Sequence, residues 1–550
     1  MKKSIIIALI GIAPMMLIAQ SAIDAYQLSQ SDLKGTARFV SMAGAFGALG
    51  GDISTLNQNP AGIGVYRSNE IGLSLNLDFQ GTETNSMGSI MKTDQTKFTC
   101  NNFGYVGAVK LNSEVMPYFT WGASFNRVAS FDRKYQGYIP SLNTSLSNYI
   151  ANFTNGWNEE ELNMSYYDSY APWLSILAYD AYMIHPNGNS SYDGMYQDGT
   201  RGDATFDVRE KGYVDEYSIN FGGNIMNTLY WGIGFGFTDI SYTSASYYDE
   251  ELTGARVVDT DGLNTITGNG WYDLGNYQRV KGNGFNFKAG LIFKPINELR
   301  LGIAVHTPTF YDLQHEAYAG IEYSYAKEIQ TQNDRGEKVP EYVPTKEGYV
   351  EVDEGYYTYY DYDLRTPWRL ILSAAGVIGG RGILSMDYEY VGYNSMRVSD
   401  PDGNEYYAES DDIDNYYQAS HIIRLGGEYR VTPSFSLRAG YSYQTSPAKN
   451  VAKDNDRYIY TSGTNTLGTN PAYTFDNSTQ YITAGCGYRY KGFYIDMAYV
   501  HKTRESVYRA FSSFGEFSDM MNDYKVTERS NSAKIKDNNN QLVLSVGYKF

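Results

Sequence analysis

The sequence predicts an all-β fold, a transmembrane antiparallel β-barrel of about 14 strands. Two observations point to it: the chain ends in an alternating strand that finishes at Phe550, and earlier alternating segments pair across very short connections. Successive side chains of a strand point to opposite faces. One apolar face and one small or polar face therefore suit a wall between lipid and a lumen.

The C-terminal strand shows the alternation most clearly. Its apolar face carries Leu542, Leu544, Val546, Tyr548 and Phe550, and the residues between them are small or polar. A terminal strand of this kind is typical of outer-membrane barrels and has no obvious use in a soluble all-β enzyme.

Six further pairs of alternating segments are joined by connections of two to five residues. The pairs are 97–111 with 117–130, 213–226 with 229–244, 279–294 with 298–313, 366–378 with 382–394, 416–431 with 434–446, and 477–490 with 493–504. Adding 69–80 and 541–550 gives 14 strands, an even number as in single-chain bacterial barrels. The short connections should face the periplasm. The remaining segments are predicted to be long extracellular loops: 131–212, 245–278, 314–365, 395–415, 447–476 and 505–540.

The N-terminus reads as a secretory signal peptide over residues 1–21. Lys2 and Lys3 precede an apolar run that ends at Ile18, and the small residues Ala19 and Ser21 follow. The run is too short for a spanning helix, and its charge and small-residue pattern are those of a cleavable signal. Together with the barrel, this predicts a multi-pass protein of the Gram-negative outer membrane.

The composition fits a barrel and argues against several other classes. The chain of 550 residues holds 54 Tyr and 55 Gly, with a mean hydropathy of −0.43. Tyrosine suits strands and interfacial girdles, and only every second strand residue meets lipid. The formal charge of −18 argues against a nucleic-acid partner. Cys100 and Cys486 are far apart and indicate no disulfide framework.

Residues 22–68 do not alternate and cannot be a barrel strand. Small and apolar residues could form a short helix around Phe39–Phe46, and the stretch from Asn59 to Gly62 is a turn sequence. Irregular backbone cannot face lipid, so this segment should lie inside the barrel or beneath it, before a barrel that spans residues 69–550.

The segment carries an ordered set of residues: Gly35, Arg38, Met42, Gly44, Ala45, Phe46, Ala48, Asp52, Ser54, Asn59, Pro60, Ala61 and Gly62. This set resembles the N-terminal hatch of the FadL/TodX family, outer-membrane transporters of long-chain fatty acids and aromatic hydrocarbons. The chain departs from the family pattern at Ala43, where the family usually has glycine. Weaker resemblance continues through 299–308, 432–443 and the final strand.

The resemblance implies a barrel of 14 strands whose lumen is plugged by the hatch, and a passive mechanism. A hydrophobic small molecule, a fatty acid or an aromatic hydrocarbon, would be caught by extracellular loops, enter a lumen pocket and leave sideways into the bilayer. The hatch role transfers to Asn59, Pro60 and Ala61, with Gly44 and Phe46 in the same plug.

One loop offers a candidate capture site. The loop 131–212 contains two apolar helical patterns, and Pro172 suits the start of the second. We expect Trp173, Leu174 and Leu177 to line a groove for the ligand. The alternative is that these side chains pack on each other and order the loop.

Three other groups of polar residues could bind a ligand or a metal ion, but a structural role explains each of them better. Charged residues on the lumen face could bind a carboxylate head group, but buried charges normally pair, which favours ion-pair ladders. His306 and His315 could ligate haem, although such histidines are usually structural. The Asp-rich stretches at 259–262 and 400–403 are better explained as tight turns than as calcium loops. The charged set comprises Lys288, Asp387, Glu389, Arg424, Glu428, Arg438, Arg489 and Asp496.

No catalytic motif or Cys/His metal cluster is present, so we expect neither an enzyme nor a cofactor. Three functions stay open: a channel for hydrophobic compounds, a FadL-like barrel that serves as a protein-binding shuttle or anchor in secretion, and a haem receptor. A general porin is disfavoured because residues 22–68 should obstruct the lumen. The expected surroundings are outer-membrane lipid and lipopolysaccharide, and the expected state is a monomer.

Overall fold

Fourteen strand positions close into one antiparallel barrel, as the sequence predicts. The computed structural model describes residues 22–188, 190–333, 335, 337–450, 468–517 and 524–550. The predicted signal peptide lies outside the described residues. Closure is made by the first and last strands, which pair from Glu70 with Lys549 to Asn85 with Lys534.

The strands of the wall follow the chain around the barrel, and four of the positions are continued by a second strand. They are β1 (Glu70–Ser86), β2 (Ser89–Lys110), β3 (Tyr118–Ser130) with β4 (Arg133–Ile139), β7 (Arg201–Ile225), β8 (Leu229–Val258), β9 (Thr265–Ile296), β10 (Leu299–His306) with β11 (Phe310–Gln332), β13 (Thr358–Arg365) with β14 (Arg369–Ile378), β15 (Gly382–Gly392) with β16 (Arg397–Ser399), β17 (Ala419–Arg430), β18 (Phe435–Gln444), β19 (Tyr473–Tyr490), β20 (Phe493–Arg509) and β23 (Ala533–Lys549).

The remaining elements lie in the N-terminal segment and on the side opposite the short turns. Two short hairpins are β5 (His185–Pro186) with β6 (Tyr192–Asp193) and β21 (Phe514–Phe517) with β22 (Tyr524–Glu528), and β12 (Lys338–Glu351) pairs antiparallel with the outer part of β11. The helices are α1 (Ala22–Leu28), α2 (Ala37–Ser41), α3 (Thr55–Gln58), α4 (Leu146–Thr154), α5 (Glu159–Leu162), α6 (Trp173–Asp180) and α7 (Tyr407–Tyr416), and the 3₁₀ turns are Pro60–Val65, Val352–Gly355 and Tyr393–Ser395. None of the helices among the described residues is long and apolar enough to cross a membrane.

The outer face of the wall is a band of exposed apolar side chains. It continues around the barrel through residues such as Phe103, Trp121, Ile219, Phe237, Leu291, Ile303, Leu372, Met386, Leu425, Leu437, Ile482, Met497 and Leu544. Because the wall is closed, its backbone hydrogen bonds are made between strands, which is the condition for crossing a bilayer. The molecule is a multi-pass barrel of the outer membrane.

The predicted hairpins are confirmed. Three segments predicted to be loops, 245–278, 314–365 and 505–540, consist largely of strand residues instead. β8 has 30 residues and β9 has 32, whereas crossing a bilayer takes roughly 9–11. The two strands stay paired as far as Val258 and Thr265. Their outer halves alternate tyrosine with polar residues on both faces, so they lack the outward apolar stripe that marks a membrane-spanning strand in the sequence. The wall therefore rises far above the membrane.

Candidate functional site in the barrel lumen

Residues 35–66, here called the crossing segment, lie inside the barrel and not in its wall. α2 contacts β18, β19, β20 and β23, whereas the 3₁₀ turn Pro60–Val65 contacts β3, β7, β8 and β9 on the other side. The segment therefore runs from wall to wall at the level of the membrane, close to the periplasmic turns. Most of its residues are fully buried.

Glycines of the inner wall make room for the crossing segment. A Cβ at Gly232 would collide with the Pro60 backbone, and one at Gly290 would collide with the Asn59 side chain. Other wall glycines meet Ser41, Met42, Gly47 and Ile63 in the same way. Part of the high glycine content of the sequence is therefore explained by the close contact between the wall and the crossing segment. The other glycines are Gly222, Gly302, Gly426, Gly440 and Gly485.

Asn59 ties together two turns of the crossing segment. Its Oδ1 accepts a hydrogen bond from the Ala61 N–H at 3.0 Å, and its Nδ2 donates to the Gly47 carbonyl at 2.6 Å. Pro60 occupies the first position of the 3₁₀ turn, where a missing N–H costs nothing. Ala61 is fully buried against Tyr230. The structure brings these three predicted hatch residues together at one wall contact.

Gly44 and Phe46 belong to the same compact segment. Gly44 has φ of +74°, and its carbonyl accepts from the Gln58 side chain at 2.7 Å. The Phe46 ring is buried 5.1 Å from the Arg38 guanidinium. Ala43, the departure from the family pattern, has φ of +52°, a left-handed conformation that costs a non-glycine residue roughly 1–2 kcal/mol.

Asp387 of β15 fastens the crossing segment to the wall. Its Oδ2 accepts from the Phe46 N–H at 3.0 Å, the Gly47 N–H at 2.9 Å and the Gln58 Nε2 at 3.0 Å. One buried carboxylate oxygen thus satisfies three donors of the segment, which would otherwise be left without partners in the lumen.

Ion pairs fill the lumen around this contact. Glu428 accepts from Arg38 at 3.0 Å and from Arg438 at 2.7 Å, and Arg438 also reaches Asp496 at 2.6 Å. Of the charged residues predicted to face the lumen, six lie in such pairs: Lys288, Glu389, Arg424, Glu428, Arg438 and Asp496. This agrees with the ion-pair reading of the sequence.

The wall is interrupted between β2 and β3. Their ladder ends at the pair Asn102 and Asn126, after which β3 gives way to β4, and β4 continues along β7. β4 bends into the lumen. In the wall, β1 and β2 lie between β4 and β23, yet the Arg133 guanidinium of β4 lies 3.0 Å from the Asp537 carboxylate of β23. Among the described residues no strand ladder joins β2 to β4, and this break in the hydrogen bonding of the wall is here called the gap.

The gap between β2 and β4 is narrow and crossed by an ion pair. The Lys97 ammonium lies 2.7 Å from the Asp132 carboxylate, and farther from the periplasm Thr93 Oγ1 donates to the Lys134 carbonyl at 2.5 Å. A small cavity of about 40 Å³ lies on the lumen side and includes Asp132 in its lining. In this state the gap is closed by polar contacts.

A larger cavity of about 180 Å³ lies between the wall and residues 28–34. Its lining mixes charged side chains such as Lys288, Arg369 and Glu389 with apolar ones such as Leu28 and Ile422. Pockets that enclose drug-sized ligands are typically about 300–1,000 Å³. A long-chain fatty acid therefore needs the N-terminal residues to move before it fits here.

Above this cavity the lumen becomes aromatic. The side chains that surround α1 come from many strands and form what we call the aromatic chamber. α1 occupies it with Ala22, Ile23, Ala25, Tyr26 and Leu28, all buried. The chamber residues are Tyr242, Val280, Tyr311, Tyr362, Tyr393, Tyr417 and Phe475.

A cap of loop helices fills the extracellular end. α4 and α6 pack inside the extended wall, and Glu250 of β8 accepts from the Leu146 N–H at 2.9 Å and from Ser145 Oγ at 2.6 Å at the start of α4. Burial raises the pKa of the Glu250 carboxyl. The cap is thus an ordered, packed layer over the barrel mouth.

The predicted capture residues lie inside this cap. Leu174 and Leu177 are fully buried, and Trp173 is 7% exposed, with the rings of Tyr166 and Tyr167 each 5.4 Å away. In this state the three side chains pack within the loop, as the alternative interpretation expected, and no open groove is formed by the two leucines. Their role in capture stays a prediction.

The two histidines considered for haem are too far apart to share one iron. His306 pairs with Lys288 of β9, and His315 pairs with Val280 of the same strand. Eight strand residues separate the two levels, which is roughly 27 Å. His306 Nε2 is moreover 2.8 Å from the Gln58 carbonyl. Ligation of one haem by this pair is excluded in this structure.

The Asp-rich stretches form turns, as expected. Asp261 Oδ1 accepts from the N–H groups of Leu263 and Asn264 at 2.9 Å, and Asp400 Oδ1 accepts from the Asn404 N–H at 2.8 Å. The described residues contain no group of three or more His, Cys, Asp or Glu side chains that could hold a metal ion.

Solved structures share this architecture. A FadL homologue from Pseudomonas aeruginosa aligns over 94% of this chain and 99% of its own, with a TM-score of 0.50 and 14% identity. The fold is that of a FadL homologue. This confirms the predicted fold class and, at the level of the fold, the resemblance to the FadL/TodX family.

Two toluene transporters are also similar. TodX from Pseudomonas putida has a TM-score of 0.41 at 14% identity, and TbuX from Ralstonia pickettii has 0.43 at 13%. Each alignment covers 94% of this chain and 99% of the other. No protein-family model matches the chain, and no curated protein matches it either.

Proposed function

We propose that the protein is a channel for the passive uptake of hydrophobic compounds of the long-chain fatty acid type across the outer membrane. The observation that carries the proposal is the gap in the wall between β2 and β4, combined with a segment that crosses the lumen. Its fold, shared with a FadL homologue, is consistent with this function.

The gap lies at a height that suits release into lipid. Its lower edge, Asn102, is eight residues along β2 from Lys110 at the periplasmic turn. With a strand tilt of about 40°, this is roughly 20 Å, in the outer part of an apolar band that is about 25 Å tall. By the same arithmetic Lys97 lies roughly 33 Å from the turn, beyond the outer boundary of the band. A molecule leaving at the lower edge of the gap would enter the outer leaflet of the bilayer.

The crossing segment gives a physical reason for sideways exit. The straight path to the periplasm runs through ion pairs and the buried backbone of residues 35–66. An acyl chain that stays in lipid keeps about 0.8 kcal/mol per CH₂ that it would lose in water. Sideways exit therefore needs the Lys97–Asp132 and Thr93–Lys134 contacts across the gap to open, with small movements of residues 28–34.

In this proposal the predicted hatch residues have distinct tasks. Asn59, Pro60 and Ala61 fix one end of the crossing segment to β8 and β9, while Gly44 and Phe46 shape the end that Asp387 holds. Extracellular residues, with Trp173, Leu174 and Leu177 as candidates, would make the first contact with the ligand after the cap loosens.

Uptake of labelled oleate tests the proposal. The chain is expressed in a Gram-negative strain that lacks its own fatty-acid channel, beside Asn59→Ala and an empty vector. We expect the wild type to restore uptake and Asn59→Ala to weaken it, because the loss of an N-cap costs about 1 kcal/mol and the tie to Gly47 is lost too.

A negative result would redirect the assignment. If a folded, heat-modifiable barrel reaches the outer membrane and takes up no oleate above the empty vector, the fatty-acid channel is contradicted. Secreted protein that co-purifies with the barrel would then favour the shuttle or anchor role instead.

A further inference from the structure

The aromatic chamber is a built pocket that the chain itself occupies. α1 has only seven residues, and its apolar side chains fill a space walled by β8, β9, β11, β13, β15 and β19 and by α7. An isolated helix of this length is unstable in water, so its position depends on the chamber. The wall could stay intact if α1 left.

Tyr26 makes the most specific contact of α1. Its ring stacks on Tyr417 with centroids 4.9 Å apart and an interplanar angle of 21°, and it meets Tyr393 edge-on at 5.1 Å. Its hydroxyl donates to Asp476 Oδ2 at 2.9 Å. The receiving residues are distant in sequence from Tyr26 and belong to the wall and its connections.

The acceptor in this pocket is itself held in place. Asp476 is 6% exposed and lies 3.4 Å from the Arg504 guanidinium, which also pairs with Asp537. A hydrogen bond to a carboxylate is roughly twice as strong as one between neutral groups. The pocket therefore combines two aromatic faces with one charged acceptor at a fixed position.

We propose that this pocket binds a small phenolic compound and that Tyr26 is its internal placeholder. The Tyr26 side chain is a para-substituted phenol, so the space, ring contacts and acceptor that it uses fit a free phenol of the same shape. A ligand that takes this place displaces α1.

Displacement of α1 also connects the chamber to the rest of the lumen. Tyr26 borders a cavity of about 20 Å³, and residues 28–34, which directly follow α1, line the cavity of about 180 Å³. Movement of α1 would pull on these residues and join the two spaces. The inference rests on the proposed uptake of hydrophobic compounds, and it adds a second ligand class and a first lumen site for that class.

The first test uses the full chain with a spin label at Gln27→Cys, in a background with Cys100→Ser and Cys486→Ser. The probe is p-cresol, the free analogue of the tyrosine side chain, and toluene is the matched probe without a hydroxyl. We expect p-cresol to mobilise the label at a concentration at least threefold lower than toluene. Unchanged label mobility up to the solubility limit of p-cresol would overturn the proposal.

The second test distinguishes specific binding at the Tyr26 site from binding in any cavity that is created by removing a lumen tyrosine. Tyr26→Ala is compared with Tyr494→Ala, because Tyr494 is also a lumen tyrosine whose hydroxyl donates to a carboxylate, that of Glu70, at 2.7 Å. We expect calorimetry to give at least tenfold tighter p-cresol binding for Tyr26→Ala. Asp476→Asn added to Tyr26→Ala should reduce the preference for p-cresol over toluene. Equal binding by the two alanine variants would contradict the pocket.

Failure of this inference and failure of the channel are distinguishable. Oleate uptake by the wild type together with no p-cresol effect on α1 would remove the phenol pocket and leave the channel. Displacement of α1 by p-cresol in a barrel that takes up no oleate would remove the fatty-acid channel and leave the pocket.

Discussion

The lumen is closed at two levels by different kinds of contact. At the lower level the crossing segment meets glycines of the wall and is held by the Asp387 carboxylate and by ion pairs centred on Arg438. At the upper level α1 is held by apolar and aromatic contacts and by the Tyr26–Asp476 hydrogen bond. Both levels obstruct the lumen. At the lower level a buried ion pair, Arg38 with Glu428, joins the crossing segment to the wall, whereas Tyr26 of α1 is joined to the wall by a hydrogen bond to a carboxylate that is already paired with Arg504.

This difference indicates which part of the obstruction can move at low cost. Breaking one member of a buried ion network leaves an uncompensated charge, which costs several kcal/mol. Apolar contacts can be replaced by those of an apolar ligand without such a penalty. The upper level is therefore suited to exchange with a ligand, whereas the lower level is suited to stay in place.

Arg438→Ala should have the largest effect, because it breaks the lower level at its centre. Glu428 and Asp496 would lose a shared partner, both in sites that are almost fully buried. We expect a loss of about 3–5 kcal/mol in the free energy of unfolding and a lower temperature of heat modification on gels.

The matched control for this change is Arg209→Ala, whose pair with Asp207 is exposed. It should change the free energy of unfolding by about 1 kcal/mol or less. Equal shifts for the two variants would contradict the view that the buried network holds the lower level.

Gly232→Ala should have the next largest effect, because the added methyl collides with the backbone of Pro60. We expect a destabilisation of about 1–3 kcal/mol and a raised ion conductance in planar bilayers, as one end of the crossing segment is pushed from the wall. Gly376→Ala is the control, since the nearest atom lies 3.8 Å from its added methyl. A Gly232→Ala variant with unchanged stability and unchanged conductance would contradict the close contact between Gly232 and the Pro60 backbone.

Asp273→Asn should have the smallest effect, and it extends the comparison to the wall above both levels. Asp273 lies across paired strands from Asp249 and Glu322 above the membrane. Burial and these two carboxylates raise its pKa to about 6. The protonated form is thus favoured by folding, so the wild type loses stability as the pH rises through 6.

The amide in Asp273→Asn does not titrate, so the variant should show a flatter profile between pH 4 and 6.5. It should also be more stable than the wild type at pH 7.5, by about 0.5 kcal/mol, as expected when like charges on paired strands are removed. Thermal unfolding over this pH range measures both quantities. A variant that is less stable at pH 7.5 would show that the ionised carboxylate contributes a favourable contact.

Much of the wall could be predicted from the sequence because lipid imposes a strict pattern. The alternation of Trp231, Ile233, Phe235 and Phe237 with small residues predicts a strand, and the structure has β8 there. The continuation of β8 to Val258 could not be recognised. Above the membrane both faces of the strand carry tyrosine and polar residues, and the pattern disappears.

The lumen was less predictable because its contacts join residues far apart in the chain. The glycine-rich pattern around Asn59 predicts an internal segment, but nothing in it points to Asp387, which lies 341 residues from its partner Phe46. Tyr26 and Asp476 are 450 residues apart. The Lys97–Asp132 pair was missed too, since the wall gap depends on how β4 bends and not on a motif.

Sideways exit through that gap is the central claim, and the rate of labelled oleate uptake by Lys97→Ala tests it most directly. We expect uptake about fivefold faster than wild type, which corresponds to about 1 kcal/mol for loss of the contact across the gap. Lys92→Ala on the same strand, which breaks an exposed pair with Glu83 of β1 and not a contact across the gap, should leave the rate unchanged. Equal rates for Lys97→Ala, Lys92→Ala and wild type, at equal barrel levels in the outer membrane, would contradict the account.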